Sequence, residues 1–273
     1  MKIVCQVSVF LLLTLFSCKT KKSVFEVQKI NSKKNYFVQS RKSSDSIFLT
    51  IYNKAETPFY LYSKDKMMDS LLVNRNSNVV NDRDSLKLEL SLIEFRDISI
   101  STINAKQKFE IEPKINLPFP KGKEYRVLQG YNGDFSHNTL KSKYALDFEM
   151  NVGDTICAVA EGVVVEMVEG YQFGGKQEKW KGFDNFIWIY HPKMNLISSY
   201  AHLRKDGSLV NIGEKVLANQ PIAISGNTGF STEPHLHFHM LKLSENYNYE
   251  SIRYDFVEGY VGDGIKKGDL LKK

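Results

Sequence analysis

The chain has 273 residues, 42% of them hydrophobic, and a formal net charge of +6. That length allows one or two domains with a substantial buried core. The positive balance is mild and dispersed, with no Lys/Arg run dense enough for a nucleic-acid footprint, so no nucleic-acid partner is expected and an anionic polymer or surface is the most it favours. Three cysteines, Cys5, Cys18 and Cys157, are too few and too scattered for a disulfide framework. Cys157, flanked by Ile156 and Ala158, reads as a small buried hydrophobe.

Residues 1–17 carry Lys2 and then an apolar run over 7–16, too short to span a bilayer but of the right length for a signal-peptide core. Leu15-Phe16-Ser17-Cys18 resembles the bacterial lipobox. The resemblance implies cleavage before Cys18, lipidation of its sulfur and a membrane anchor in the cell envelope, each buried methylene contributing about 0.8 kcal/mol. Lys19, where aspartate would signal retention, favours the outer membrane by similarity to Gram-negative sorting rules. An ordinary secretory signal with a chance cysteine is the alternative.

Residues 18–34 are polar and lysine-rich and read as a tether. Over 35–114, segments 46–52, 59–62, 85–92 and 95–100 are β-branched or aromatic in strand fashion, with a turn region at 53–58. Such spacing predicts a small, immunoglobulin-like β-sandwich. It holds no histidine and no cysteine, and so reads as a spacer or interaction domain. Ile115-Asn116-Leu117-Pro118-Phe119-Pro120 marks a boundary. Strands are predicted beyond it at 127–130, 158–168, 185–190, 197–202, 222–225 and 235–241, within a domain spanning 115–243, and no amphipathic helix is evident. Residues 244–273 read as a C-terminal extension that packs back. The fold class expected is all-β.

All 6 histidines lie in the second half, three of them within Pro234-His235-Leu236-His237-Phe238-His239. Side chains of a strand alternate faces, so His235, His237 and His239 share one face and Leu236 and Phe238 take the other. A hydrolytic zinc site takes three ligands from His and Asp/Glu and leaves a fourth position for water. Candidates are His137, His191, His202, His235, His237, His239 and Asp147, which stands among apolar neighbours in Tyr144-Ala145-Leu146-Asp147-Phe148 and needs a partner such as a cation.

Ser136-His137 with Tyr144-Ala145-Leu146-Asp147, then Ser199-Tyr200-Ala201-His202-Leu203, then Gly226-Asn227-Thr228-Gly229 with Pro234-His235-Leu236-His237-Phe238 resemble, in order, the signature blocks of the lysostaphin/LytM-type zinc endopeptidases. The resemblance implies an antiparallel β-sheet domain with a groove, Zn2+ as cofactor, and His137, Asp147 and His237 as ligands. It implies His202 and His235 as unligated catalytic histidines, and the peptide cross-links of peptidoglycan as substrate. The commonest family pattern sets the aspartate four residues after the first histidine, whereas here they stand at 137 and 147, with 138–143 as a longer loop and His191 as the reserve ligand. Some relatives lose the metal and activate other wall hydrolases. The filling of all five expected positions favours the enzyme over such a regulator, and a zinc peptidase directed at secreted proteins is the further alternative.

The other residues near these blocks carry less. His191, before Pro192, suits a structural or substrate-edge role. His239 suits either support of His237 or a solvated strand position. Tyr200 reads as packed, or as hydrogen-bonding near the site from the face of His202. The insertion at 170–186, with Gly174-Gly175, Tyr171 and Trp180, is expected to form a groove wall.

Overall fold

The alternation in the second half builds a long antiparallel sheet, seen in a computed structural model that describes residues 29–34, 36–43, 46–53, 57, 59–63, 79–80, 85–91, 98–105 and 107–273. The expected signal segment 1–17 and Cys18 lie outside the described residues. In spatial order the sheet runs Lys33–Lys34, Gly162–Val168, Phe186–His191, Leu196–Ala201, His235–Leu243, Leu146–Glu149, Glu124–Gln129 and Leu270–Lys272. A smaller sheet of Thr155–Cys157, Pro221–Ser225 and Leu203–Ser208 lies beside it. The described chain is essentially all-β, its only helices being single 3-10 turns at Glu178–Trp180 and Gly262–Gly264.

His235–Leu243 is the central strand and divides its side chains by period two. Leu236, Phe238 and Met240 are fully buried in the main core with Tyr200, Phe148, Ile187 and Tyr254. His235, His237 and His239 face the other way, and further along that face Leu241 and Leu243 join a second apolar cluster with Val165, Trp188, Tyr190 and Ile197. One face of one strand thus changes from polar groove to apolar contact surface along its length.

The apolar part of that face is covered by the first half of the chain. Tyr62 and Ile103 belong to the same cluster, and Tyr62 stacks on Tyr247 at a ring separation of 4.5 Å. Asn195 ties the two halves further, its Nδ2 donating to the carbonyls of Asn104 and Gln107. The described residues of the first half form two three-stranded antiparallel sheets, Tyr36–Lys42/Ser46–Asn53/Ser85–Ser91 and Val79–Val80/Phe59–Ser63/Ile98–Ser101. Ile47, Leu49, Ile51 and Leu88 from the one share a core with Phe59 and Leu61 from the other.

Several expectations are corrected. The tether predicted over 18–34 ends in structure: Lys33–Lys34 pairs with Met167 and Glu166 at the sheet edge, where Lys33 and Lys34 meet Glu169 and Glu166. The extension expected over 244–273 does pack back, and it does so as part of the main sheet: Tyr249–Ile252 pairs with the histidine strand and Leu270–Lys272 with Glu124–Gln129. The strand predicted over 158–168 begins only at Gly162. Cys157 is buried and free, as a small hydrophobe would be.

Candidate metal centre and its groove

Register brings two of the candidate ligands together. Asp147 is the direct antiparallel partner of His237 across the ladder. Such partners carry Cβ atoms about 5 Å apart on the same face. His137 comes from the loop between Glu124–Gln129 and Leu146–Glu149, which closes on itself through Asn132 N–H to the Lys143 carbonyl (2.6 Å) and Ser142 Oγ to the Ser136 carbonyl (2.8 Å). His137 Nδ1–H donates to the Gly130 carbonyl at 2.8 Å and so turns Nε2 towards the sheet.

The result is a triangle of donor atoms. His137 Nε2 lies 3.2 Å from Asp147 Oδ1 and 3.3 Å from His237 Nδ1, and His237 Nδ1 lies 2.8 Å from Asp147 Oδ1. Donors bonded to a tetrahedral ion at about 2.0–2.2 Å stand about 3.3–3.5 Å from one another. Two edges fall close to that spacing, and the third is a hydrogen bond from the His237 ring to the carboxylate. Two imidazoles and one carboxylate, all largely buried, fit a hydrolytic zinc ion in number, chemistry and spacing. His191 is no part of it: Nδ1–H donates to the Glu161 carbonyl and Nε2 accepts from Ser198 Oγ, each at 2.8 Å, within the buried sheet.

His202 and His235 stand over this triangle, their rings 4.5 Å apart and His235 Nε2 3.9 Å from Asp147 Oδ1. His202 Nδ1–H donates to the Thr228 carbonyl at 2.7 Å, and His235 Nδ1–H to the Glu233 carbonyl at 2.8 Å. Both anchors leave a lone pair on Nε2. The strand predicted to end at 202 ends at Ala201, and His202 has φ of +63°. Continued as a strand, position 202 would follow Tyr200 to the core face; the left-handed backbone turns its ring into the groove instead. Tyr200 therefore does not share the face of His202. It is fully buried opposite Phe238, its hydroxyl donating to no groove atom but accepting from Val159 N–H at 3.0 Å.

Electrostatics follow from this crowding. Burial alone would raise the Asp147 carboxyl, but His235, His237 and the hydrogen bonds from His137 and His237 hold it well below the usual carboxylate range. Burial, reinforced by His235 and His237, pushes His202 well below the ordinary imidazole value. Burial lowers His237 against the pull of Asp147, and lowers His239 strongly.

Two amides, Gln129 half-buried and Asn185 fully buried, support the site without any motif to announce them. Gln129, register partner of Asp147, places Nε2 2.8 Å from Ser136 Oγ and 3.5 Å from Asp147 Oδ2, bridging the His137 loop to the carboxylate. Asn185 is fully buried and joins three loops: Oδ1 accepts from Tyr171 N–H, Nδ2 donates to the Tyr171 and Leu203 carbonyls, and its N–H donates to Thr228 Oγ1. The sequence signal for Gln129 was its place one ladder step from Asp147, legible only once the pairing is known. For Asn185 there was none beyond its position at the start of a strand.

A cavity of about 790 Å³ opens over the donor triangle, lined among others by Phe135, Tyr171, Asp184, Phe230, His202 and His237. The insertion at 170–186 forms one wall, as expected, through Tyr171, Lys181, Gly182 and Asp184. Gly174–Gly175 pairs in parallel with Gly229–Phe230, locking that wall to the loop that carries Thr228. A Cβ on Gly174 would come within 2.5 Å of the Gly229 carbonyl, and Gly229 itself has φ of +77°, so both positions require glycine.

Fold and donor set together are those of a β-sheet domain with a candidate metal centre in a groove. Residues 141–249 match Peptidase family M23, a segment that includes Asp147, His202, His235 and His237 and begins just after His137. The chain is 37% identical over 106 residues to the glycyl-glycine endopeptidase ALE-1 of Staphylococcus capitis, covering 38% of this chain and 26% of that protein. It is 30% identical over 126 residues to the peptidoglycan DD-endopeptidase ShyA of Vibrio cholerae, covering 45% and 26%. The catalytic domain of lysostaphin from Staphylococcus simulans aligns with a TM-score of 0.33 at 26% identity, covering 47% of this chain and 87% of that one. The chain thus spans about a quarter of the length of these curated relatives. Over part of its C-terminal half, the chain is similar to Peptidase family M23 and to relatives of the lysostaphin/LytM type.

Proposed function

We propose that the protein is a zinc-dependent endopeptidase that hydrolyses peptide cross-links of bacterial peptidoglycan at the cell envelope. The observation that carries this is the His137–Asp147–His237 donor triangle beneath two histidines whose Nε2 lone pairs face it. A bound zinc ion would supply Lewis-acid polarisation of a peptide carbonyl and acidification of water. His202, kept neutral by burial, accepts the proton of the attacking water at Nε2 or shares that task with His235. The same nitrogens return it to the leaving amine. Thr228 and Glu233, through their carbonyls, hold the two rings in the tautomer this requires. The relatives named for peptidoglycan and glycyl-glycine cleavage support the substrate class.

Anchoring belongs to the same proposal: cleavage before Cys18 and lipidation of its sulfur would hold the enzyme beside the wall. Mass analysis of the mature N-terminus tests this, and Cys18→Ala should move the protein from the membrane fraction to the soluble one. The activity is tested by comparing wild type, His237→Ala and His202→Ala for bound zinc and for new peptide termini released from peptidoglycan. Wild type should hold about one zinc and release termini. His237→Ala should lose both, and His202→Ala should keep zinc and lose cleavage. A zinc-loaded wild type that releases no termini would refute the proposal.

A further inference from the structure

The groove floor continues past the donor triangle by one row of the sheet. Asp147, His237 and Ala201 are register partners in the first row. His239, Ser199 and Trp188 are register partners in the next, two residues along each strand and so about 6–7 Å away. All three of these side chains line the same cavity, with Lys141 from the His137 loop above them.

This row presents donors with nothing to donate to. Trp188 Nε1–H donates to Ser199 Oγ at 3.0 Å, which leaves the Ser199 hydroxyl hydrogen without an acceptor among the described residues. Lys141 places its ammonium 4.9 Å from the Trp188 ring centre and makes no ion pair among the described residues. His239 is only 5% exposed, and its Nε2 is buried with no hydrogen-bond partner. Its other nitrogen, Nδ1, lies 3.1 Å from His237 Nε2.

Ligation fixes which way that last bond points. A neutral imidazole carries one proton. If His237 binds a cation through Nδ1, its proton sits on Nε2 and is donated to His239 Nδ1. His239 must then carry its own proton on Nε2, making that buried, unpartnered nitrogen a donor into the cavity. The same residue therefore orients His237 and points a hydrogen outward.

We propose that His239, Ser199 and Lys141 form a carboxylate-binding subsite, selecting peptides with a free carboxylate about one to two residues from the scissile bond. This rests on the metallopeptidase reading above. A group of two neutral donors and one cation matches a carboxylate, which accepts from several donors and gains from the charge. Four acidic residues line the same cavity, of which Asp147 belongs to the donor triangle and Glu233 is exposed. Glu166 is engaged by Lys34 at 3.5 Å; burial raises the Asp184 carboxyl and lowers the Lys141 ammonium, and each is partly drawn back by the other's charge.

The test uses two cross-linked peptidoglycan peptides, identical except that the carboxylates beside the cross-link are free in one and amidated in the other. Their equilibrium binding is measured on zinc-loaded His202→Ala, on His202→Ala with Lys141→Gln, and on His202→Ala with His239→Glu. The first should prefer the free carboxylate about tenfold or more, the scale of one charge-assisted hydrogen bond. Lys141→Gln should shrink the preference to about twofold at unchanged zinc content. His239→Glu keeps an acceptor for His237 but puts a negative charge in the subsite, so it should retain zinc and favour the amide. Equal binding of the two peptides, or no binding of either, overturns the subsite, as does a preference that survives Lys141→Gln. Discrimination by the variants with no cleavage by wild type would uphold the subsite and refute the endopeptidase proposal.

Discussion

His191 is the histidine that sequence spacing held in reserve as a ligand, and its burial makes a quantitative prediction. It is 1% exposed, and burial, opposed only by its hydrogen bond to Glu161, pushes it down to about 4 from a reference of 6.5. A depressed folded-state value means the stabilising preference for the neutral ring is fully present above pH 6.5 and is lost as pH falls towards 4, because the unfolded chain takes up the proton first. The full difference of about 2.5 units corresponds to about 3 kcal/mol, of which about 2 kcal/mol is lost between pH 7.5 and pH 5. His191→Asn removes the titration while keeping a donor for the Glu161 carbonyl. Urea unfolding of both metal-free proteins at the two pH values is the assay. The variant should start less stable at pH 7.5 yet lose about 2 kcal/mol less than wild type on acidification. Equal losses would refute the assignment of His191 as a buried neutral strut, and a loss of zinc binding in His191→Asn would return it to the ligand set.

Other residues give further expectations. Gln129→Ala should weaken zinc affinity about 10- to 100-fold with little change in fold, measured by competition with a chelator, since it frees Asp147 Oδ2 and the His137 loop. Asn185→Ala should destabilise by about 1–3 kcal/mol and lower kcat/KM while zinc content holds, because it removes the side-chain bonds that tie Leu203, next to His202, to Tyr171 of the 170–186 wall. Phe238→Ala, on the fully buried face of the histidine strand, should cost about 3–5 kcal/mol in chemical denaturation.

What was legible in the sequence was what period two and short motifs encode. The face shared by His235, His237 and His239 follows from alternation alone, and the strands at 186–191, 196–201 and 221–225 lie within a residue or two of expectation. The long His137–Asp147 spacing is explained by a self-closed loop that carries His137 Nε2 back to a carboxylate fixed by ladder register. Less legible were features that depend on tertiary partners. Alternation misplaced Tyr200, because the left-handed turn at His202 reverses the faces that a continued strand would give. Composition could not show that Leu241 and Leu243 extend the histidine face into a surface covered by Tyr62 and Ile103, since the two segments are far apart in sequence. Nor could it show that Lys33–Lys34 and the segment after Leu243 complete the main sheet: short polar strands at sheet edges carry little hydrophobic pattern.

The central claim is that His137, Asp147 and His237 hold one metal ion, and a crystal structure of the zinc-loaded protein with anomalous scattering at the zinc edge tests it most directly. A single strong peak is predicted about 2.0–2.2 Å from His137 Nε2, Asp147 Oδ1 and His237 Nδ1, with the Nε2 atoms of His202 and His235 facing it but not bonded to it. A peak coordinated by His191 or by His202, or none at the triangle, would contradict the account.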